Sequence, residues 1–205
     1  MKRVGLLGGA FNPPHEGHLK LARLALEHLA LDELRFVPTA ISPHKPEPGG
    51  PAPDLRLRLL AGALSGFDPR CRIETAELER GGPSYTVDTL EGLAAQEPGT
   101  HWILLMGSDQ LASLAQWRRA ERIFQLASAA VATRPGAPVL APGIPGLIPV
   151  PAWSGAPGEL VTLPGTEMDL ASSALRQRLH ATPQEDPEGL PAEVLITIRS
   201  ENLYR

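Results

Sequence analysis

One cysteine, three lysines and nine aromatic residues stand among 205 positions, and each shortage narrows what the chain can be. Cys71 has no second cysteine to bond with, and no Cys/His zinc cluster can be built on it. This fits a reducing compartment. Positive charge is not in excess: 19 Lys and Arg face 23 Asp and Glu, a net charge of −4. General nucleic-acid binders and anionic-membrane binders usually carry a basic surplus, so neither partner is expected. Long apolar runs are missing as well, since no stretch nears the ~20 residues that cross a bilayer. The opening run MKRVGLLGGAF breaks at Gly8-Gly9, too early for a signal-peptide core. The expectation is a cytoplasmic chain, with assembly into a homo-oligomer left open.

The abundant residues are equally informative. Hydrophobic residues at 42% and charged residues at 20% are globular proportions. Twenty glycines and 22 prolines imply many turns. The length fits one domain, residues 1–205, with a C-terminal helical portion of about 170–205 packed on it.

Residues 4–7 read as a buried strand ended by Gly8-Gly9. Leu19, Ala22, Leu26 and Leu29 then recur at helical spacing, which starts a helix near His15. Residues 34–37 form the next strand, and the short join predicts parallel neighbours. Residues 42–53 hold five prolines and predict a surface loop, with Asp54 capping a helix to about Ser65. Further strands are expected at 71–75, 102–106 and 129–132. Helices are expected at 86–95, at 110–126 with a break near Trp117, at 172–179 and at 192–203. His44 and His101 read as loop residues, and the Pro- and Gly-rich residues 135–158 should wrap the surface. Strands apolar on both faces, alternating with helices, predict an α/β fold with a mainly parallel sheet covered on two sides.

Chemistry concentrates in residues 8–18, GGAFNPPHEGH. In such sheets ligands bind beyond the carboxyl ends of the strands, where this loop begins. Gly8 and Gly9 let main-chain N–H groups approach a phosphate, and the following helix aims its positive end at the same place. His15 and His18, three apart, can face one ligand, and Gly17 leaves room against the helix for a base or ribose. The pair could instead bind a metal, but no carboxylate or cysteine at suitable spacing completes such a set. The Rossmann G-x-G-x-x-G and the P-loop motif are both absent.

His15-Glu16-Gly17-His18 is similar to the HxGH signature of the nucleotidylyltransferase superfamily, and residues 8–19 resemble the bacterial nicotinate-nucleotide adenylyltransferases. The similarity continues in order along the chain. It runs through Ser42-Pro43-His44-Lys45, PSYTVDTL at 83–90, Gly107-Ser108-Asp109 with Trp117, Arg134-Pro135-Gly136, Ala171 to Arg176, and Glu201-Asn202-Leu203-Tyr204. Ala10, Asn12, Ser42, Ala171 and Ala174 depart from the family pattern; Asn12 keeps a carbonyl acceptor where Asp is commoner but loses the charge.

The resemblance implies a Rossmann-like doubly wound fold with helices on both faces, of the nucleotidylyltransferase type. It implies transfer of AMP from ATP to nicotinate mononucleotide, with magnesium accompanying ATP. His15, His18 and Arg176 would be catalytic. Gly8, Gly9, Ala10, Phe11, Gly107, Asp109, Ser172 and Ser173 would join them in holding ATP. Asn12, Lys45, Tyr85, Thr86, Asp109, Trp117, Arg118 and Arg134 would hold the mononucleotide, with Trp117 stacking on the pyridine ring. Read alone, Trp117 could be packing and Asp109 a helix N-cap. Nicotinamide mononucleotide or phosphopantetheine are alternative acceptors. A nucleotide-binding regulator without turnover is the alternative from another class.

Overall fold

The computed structural model describes residues 1–43, 50–132, 143–164 and 170–205. Its strands are β1 (Arg3–Gly9), β2 (Glu33–Pro38), β3 (Cys71–Ile73), β4 (His101–Gly107), β5 (Ala127–Ala132), β6 (Ile148–Pro149) and β7 (Glu159–Leu163). They form one seven-stranded sheet in the order β3-β2-β1-β4-β5-β7-β6, every pairing parallel. The helices are α1 (Glu16–His28), α2 (Pro53–Leu64), α3 (Ala76–Arg80), α4 (Thr86–Gln96), α5 (Ser108–Ser113), α6 (Ala120–Leu126), α7 (Ser172–Ala181) and α8 (Ala192–Ser200).

Successive strand side chains point to opposite faces, so each central strand feeds two apolar layers. Leu7, Leu34, Phe36, Ile103 and Leu105 join the layer under α1, α2, α7 and α8. Val4, Leu6, Trp102, Leu104 and Met106 join the layer under α4, α5 and α6. This is the doubly wound arrangement. Leu179 of α7 and Val194 and Ile198 of α8 are buried in the first layer beside Leu59, Leu60 and Ala63 of α2, so residues beyond 170 pack onto the sheet's helical cover.

Within β2, Arg35 is 1% exposed. Its guanidinium meets Glu33, Glu74 at 3.1 Å and Glu97 at 2.8 Å, and lies 5.2 Å over the Trp102 ring. Lys2 and Arg72 also pair with Glu33.

Several local expectations are corrected. Asp54 is not a cap: Pro53 opens α2 and Ala52 precedes it, because proline's missing N–H costs nothing in a first turn. His101 begins β4 rather than lying in a loop. The described part of 135–158 does not merely wrap the surface, since Ile144, Leu147 and Trp153 are buried and β6 is a strand. Helix α3 and strand β7 were not anticipated. The expected break near Trp117 is present: α5 passes into a 3-10 turn (Leu114–Gln116), and Arg119 adopts left-handed backbone before α6.

Candidate active site

Strand order reverses between β1 and β4, because β1 continues to β2 and β3 on one side and β4 to β5 and β7 on the other. Loops leaving these two carboxyl ends diverge, which opens a crevice at the switch point. The loop of residues 10–15 starts there. A side chain on Gly8 would meet no heavy atom within 4 Å, so the end of β1 faces open space.

Phe11 anchors this loop. Its backbone is left-handed (φ 48°), a conformation that costs a non-glycine residue about 1–2 kcal/mol. Its ring is 1% exposed and packs edge-on to His18, with centroids 5.0 Å apart, and against Phe36 at 5.8 Å. The C-terminal elements grip the next residues. Arg176 Nη1 donates to the Asn12 carbonyl at 2.7 Å, and Ser172 Oγ to the Pro13 carbonyl at 3.0 Å. The Tyr204 hydroxyl donates to Asn12 Oδ1 at 2.6 Å. The Glu16 N–H donates to the Gly189 carbonyl at 2.8 Å.

His15 is the N-cap residue of α1 and His18 sits in its first turn. Their ring centroids are 3.8 Å apart. The His15 main-chain N–H donates to His18 Nδ1 at 3.1 Å. A neutral His18 therefore carries its proton on Nε2. A methyl group on Gly17 would stand 2.9 Å from His15 Nδ1. The space beside Gly17 is thus taken by the His15 ring, not left for a base or ribose. Burial lowers the His15 pKa to about 4, and burial together with the neighbouring His15 charge holds His18 well below its ordinary value. Both rings are neutral at pH 7, and His15 Nδ1 is a buried nitrogen with no hydrogen-bond partner among the described residues.

The remaining expected residues fall as follows. Gly9 ends β1, and the Ala10 carbonyl accepts from Arg56 Nη1 at 2.9 Å. Gly107, not Asp109, is the N-cap of α5; Asp109 Oδ1 folds back to 2.9 Å from where a Gly107 side chain would stand. Ser172 and Ser173 open α7, and the Ser172 hydroxyl proton is committed to Pro13. Tyr85 and Thr86 open α4. Arg118 lies 4.6 Å over the Tyr85 ring and 3.7 Å from Asp88. Trp117 is half-buried, with its indole N–H 3.4 Å from Ser113 Oγ, and it walls a cavity of about 520 Å³ with Gln125 and Ile144. None of that cavity's lining residues belongs to the 10–15 loop. Lys45 and Arg134 lie outside the described residues.

Sequence reasoning missed Arg56 and Tyr204. Arg56 is 7% exposed, and with Leu59, Leu60 and Ala63 it completes a one-face helical spacing that could have marked it as buried. Cys71 is half-buried; burial and Asp68 push its thiol up to about 12, which makes it a poor nucleophile. Among the described residues no three His, Cys, Asp or Glu side chains gather as a metal site. No helix there is long and apolar enough to cross a membrane.

A parallel sheet whose strand order reverses beside a glycine-ended first strand is a doubly wound α/β fold of the kind that binds ligands at the switch point. Residues 6–178 match the cytidylyltransferase-like family. The chain is 40% identical over 206 residues, covering all of both chains, to a Bordetella petrii protein named "Probable nicotinate-nucleotide adenylyltransferase". It is 39% identical to one of the same name from Hydrogenovibrio crunogenus, over 98% of this chain and 97% of that one. The fold matches a Plasmodium falciparum nicotinic acid mononucleotide adenylyltransferase complexed with NaAD, at TM-score 0.73 and 17% identity, covering 100% of this chain and 98% of that one. The chain belongs to the cytidylyltransferase-like family and, within it, to the nicotinate-nucleotide adenylyltransferases.

Proposed function

We propose that His15, His18 and Arg176 form the phosphate-transfer centre of an enzyme that moves AMP from ATP to the 5′-phosphate of nicotinate mononucleotide. A bond forms between a mononucleotide phosphate oxygen and the α-phosphorus. The bond from that phosphorus to the β-phosphate oxygen breaks, and pyrophosphate leaves. The observation that carries this reading is the His15–His18 pair, with ring centroids 3.8 Å apart, on the loop that leaves β1 at the strand-order reversal.

The attacking phosphate is already anionic and needs no strong base. The barrier comes from bringing two polyanions together and from charge developing on the α- and β-phosphates, so positioning and electrostatics supply catalysis. His18 donates Nε2–H to the α-phosphate, and His15 stands beside it. An incoming triphosphate opposes the burial that keeps the rings neutral, so they gain proton affinity only with ATP in place. Arg176, seated on the Asn12 carbonyl, turns its guanidinium to the β- and γ-phosphates. The amino end of α7, with Ser173 exposed and the Ser172 N–H, serves the same group. Main-chain groups of Gly8, Gly9, Ala10 and Phe11 line the phosphate path, and Gly107 and Asp109 hold the nucleoside.

The donor set suits a magnesium ion carried by phosphate oxygens and water, because no acid cluster is gathered among the described residues and Asn12 Oδ1 already accepts from Tyr204. When bound, such an ion would supply neutralisation of phosphate charge. For the acceptor, Trp117 stacks on the pyridine, and the N–H groups of Thr86 and Arg118 hold the carboxylate. Tyr85 and Asn12 border the nucleotide; Lys45 is assigned to the phosphates and Arg134 to a phosphate or the ribose. A cytoplasmic location completes the proposal.

Pyrophosphate release with ATP and magnesium, offered nicotinate mononucleotide, nicotinamide mononucleotide and phosphopantetheine in parallel, tests this reading. The expected result is marked preference for the nicotinate compound. Equal rates with the amide would defeat the specificity, and no release with any acceptor would defeat the activity.

A further inference from the structure

Arg56 is a buried cation that the proposed chemistry does not use. Burying a guanidinium is costly unless its donors are satisfied. Here Nη1 donates to the Ala10 carbonyl at 2.9 Å and Nη2 to the Ala40 carbonyl at 3.4 Å. Those carbonyls belong to two different loops. Ala10 lies in the loop after β1 that carries His15, and Ala40 lies in the loop after β2 that leads towards Lys45. One planar fork therefore sets the distance between them.

The connection continues from Ala40. Its N–H donates to Ser84 Oγ at 2.8 Å, and the Ser84 N–H donates to the Ile41 carbonyl at 2.9 Å. Ile41 and Pro83 form an isolated parallel bridge. Ser84 is 6% exposed and immediately precedes Tyr85 and Thr86, which open α4. Its hydroxyl also bonds to Glu77, a 6% exposed carboxyl that accepts from Thr89 Oγ1 at 2.7 Å. The path thus runs from the loop of the imidazole pair, through Arg56 and the Ala40 main chain, to the segment that opens α4.

We infer that Arg56 is a positioning residue that fixes the spacing between the triphosphate loop and the acceptor loop, with Ser84 and Ala40 completing the link. The inference rests on the phosphate-transfer reading above. Each loop holds its own substrate through its own residues. Arg56 governs their mutual placement, on which in-line attack depends: a misplacement of about 1 Å costs on the order of 100-fold in rate.

This predicts a separation that a merely structural residue would not produce. In Arg56→Lys the charge remains, but an ammonium does not reproduce the two-carbonyl fork. The expected result is a kcat reduced about 10- to 100-fold, with the dissociation constants of ATP alone and of nicotinate mononucleotide alone each within about threefold of the parent. Ser84→Ala should lower kcat in the same way by a smaller factor. The double variant should lose less than the product of the two single losses, because both act on Ala40. Melting curves accompany each variant. Should Arg56→Lys fail to fold, Ser84→Ala decides by itself.

Unchanged kcat in the folded variants overturns the inference. So does a kcat loss explained by weakened binding of one substrate, or multiplicative losses in the double variant. Absence of pyrophosphate release by the parent protein would instead overturn the underlying reading, so the two failures are told apart.

Discussion

The phenol of Tyr204 donates to Oδ1 of Asn12 at 2.6 Å, a hydrogen bond that joins positions 192 residues apart. It ties the end of the chain to the loop that carries the imidazole pair. Tyr204→Phe keeps the ring packed against the first apolar layer and removes only the donor. A buried acceptor that loses its donor costs about 1–2 kcal/mol, which for a chain of this size lowers Tm by about 2–8 °C. Calorimetry checks this, and an unshifted melt would show that the bond contributes nothing to stability.

His18 offers Nε2–H because its Nδ1 already accepts from the His15 main chain. His18→Ala should lower kcat by about 100- to 1,000-fold, the effect of removing a donor aimed at developing charge. ATP binding should weaken far less. Pyrophosphate-release kinetics and calorimetric titration of ATP measure the two effects separately. A kcat equal to the parent's would remove His18 from its assigned role.

Burial holds the His15 pKa at about 4 against an ordinary 6.5, and His18 is shifted the same way. Below pH 6.5 the unfolded chain takes up protons that the folded chain refuses, so stability must fall as the pH drops from 6.5 towards 4. From pH 7 to pH 5 the His15 share of that loss is about 2 kcal/mol. Urea unfolding at both pH values, in buffer without phosphate, should show this loss diminished by that amount in His15→Gln. Equal losses in the two proteins would contradict the shift.

Gly17→Ala separates geometry from stability. The added methyl would stand 2.9 Å from His15 Nδ1 and 3.0 Å from Cε1, so the ring must move. Helix propensity favours alanine by about 1 kcal/mol, which offsets part of the crowding. The expected outcome is a kcat at least ~10-fold lower, given how steeply rate depends on placement. Tm should shift by less than about 4 °C. Parent-like turnover would mean that the ring position is unimportant.

Arg35→Met addresses the ion cluster on β2. It removes the cation from among Glu33, Glu74 and Glu97. Breaking a buried ion cluster on one side costs about 3–5 kcal/mol, so Tm should fall by about 6–20 °C. At a temperature where the variant is folded, kcat should match the parent, because the cluster is built from β2, the residue after β3 and the end of α4, not from the loop that carries the imidazole pair. A normal Tm would show that the acids find other partners.

The α/β class, most strands and helices, and the imidazole loop were legible because their signals are local. Apolar runs of strand length, a Gly-Gly stop and His15–His18 at helical spacing need no distant partner. Strand β7 escaped notice because Thr162 interrupts its short apolar run, and its pairing to β5 comes from residues 31 positions away. Helix α3 has only five residues, too few for a periodic pattern. The direction of each site group lay beyond local reading. Residue types at fixed spacing dictated which groups could meet a phosphate. Folding assigned them their partners: Arg176 and Tyr204 to Asn12, Arg56 to Ala10, and the His15 ring to the space over Gly17. It also set the protonation of the pair, because burial depends on everything packed around the rings, whereas spacing depends only on the backbone between them.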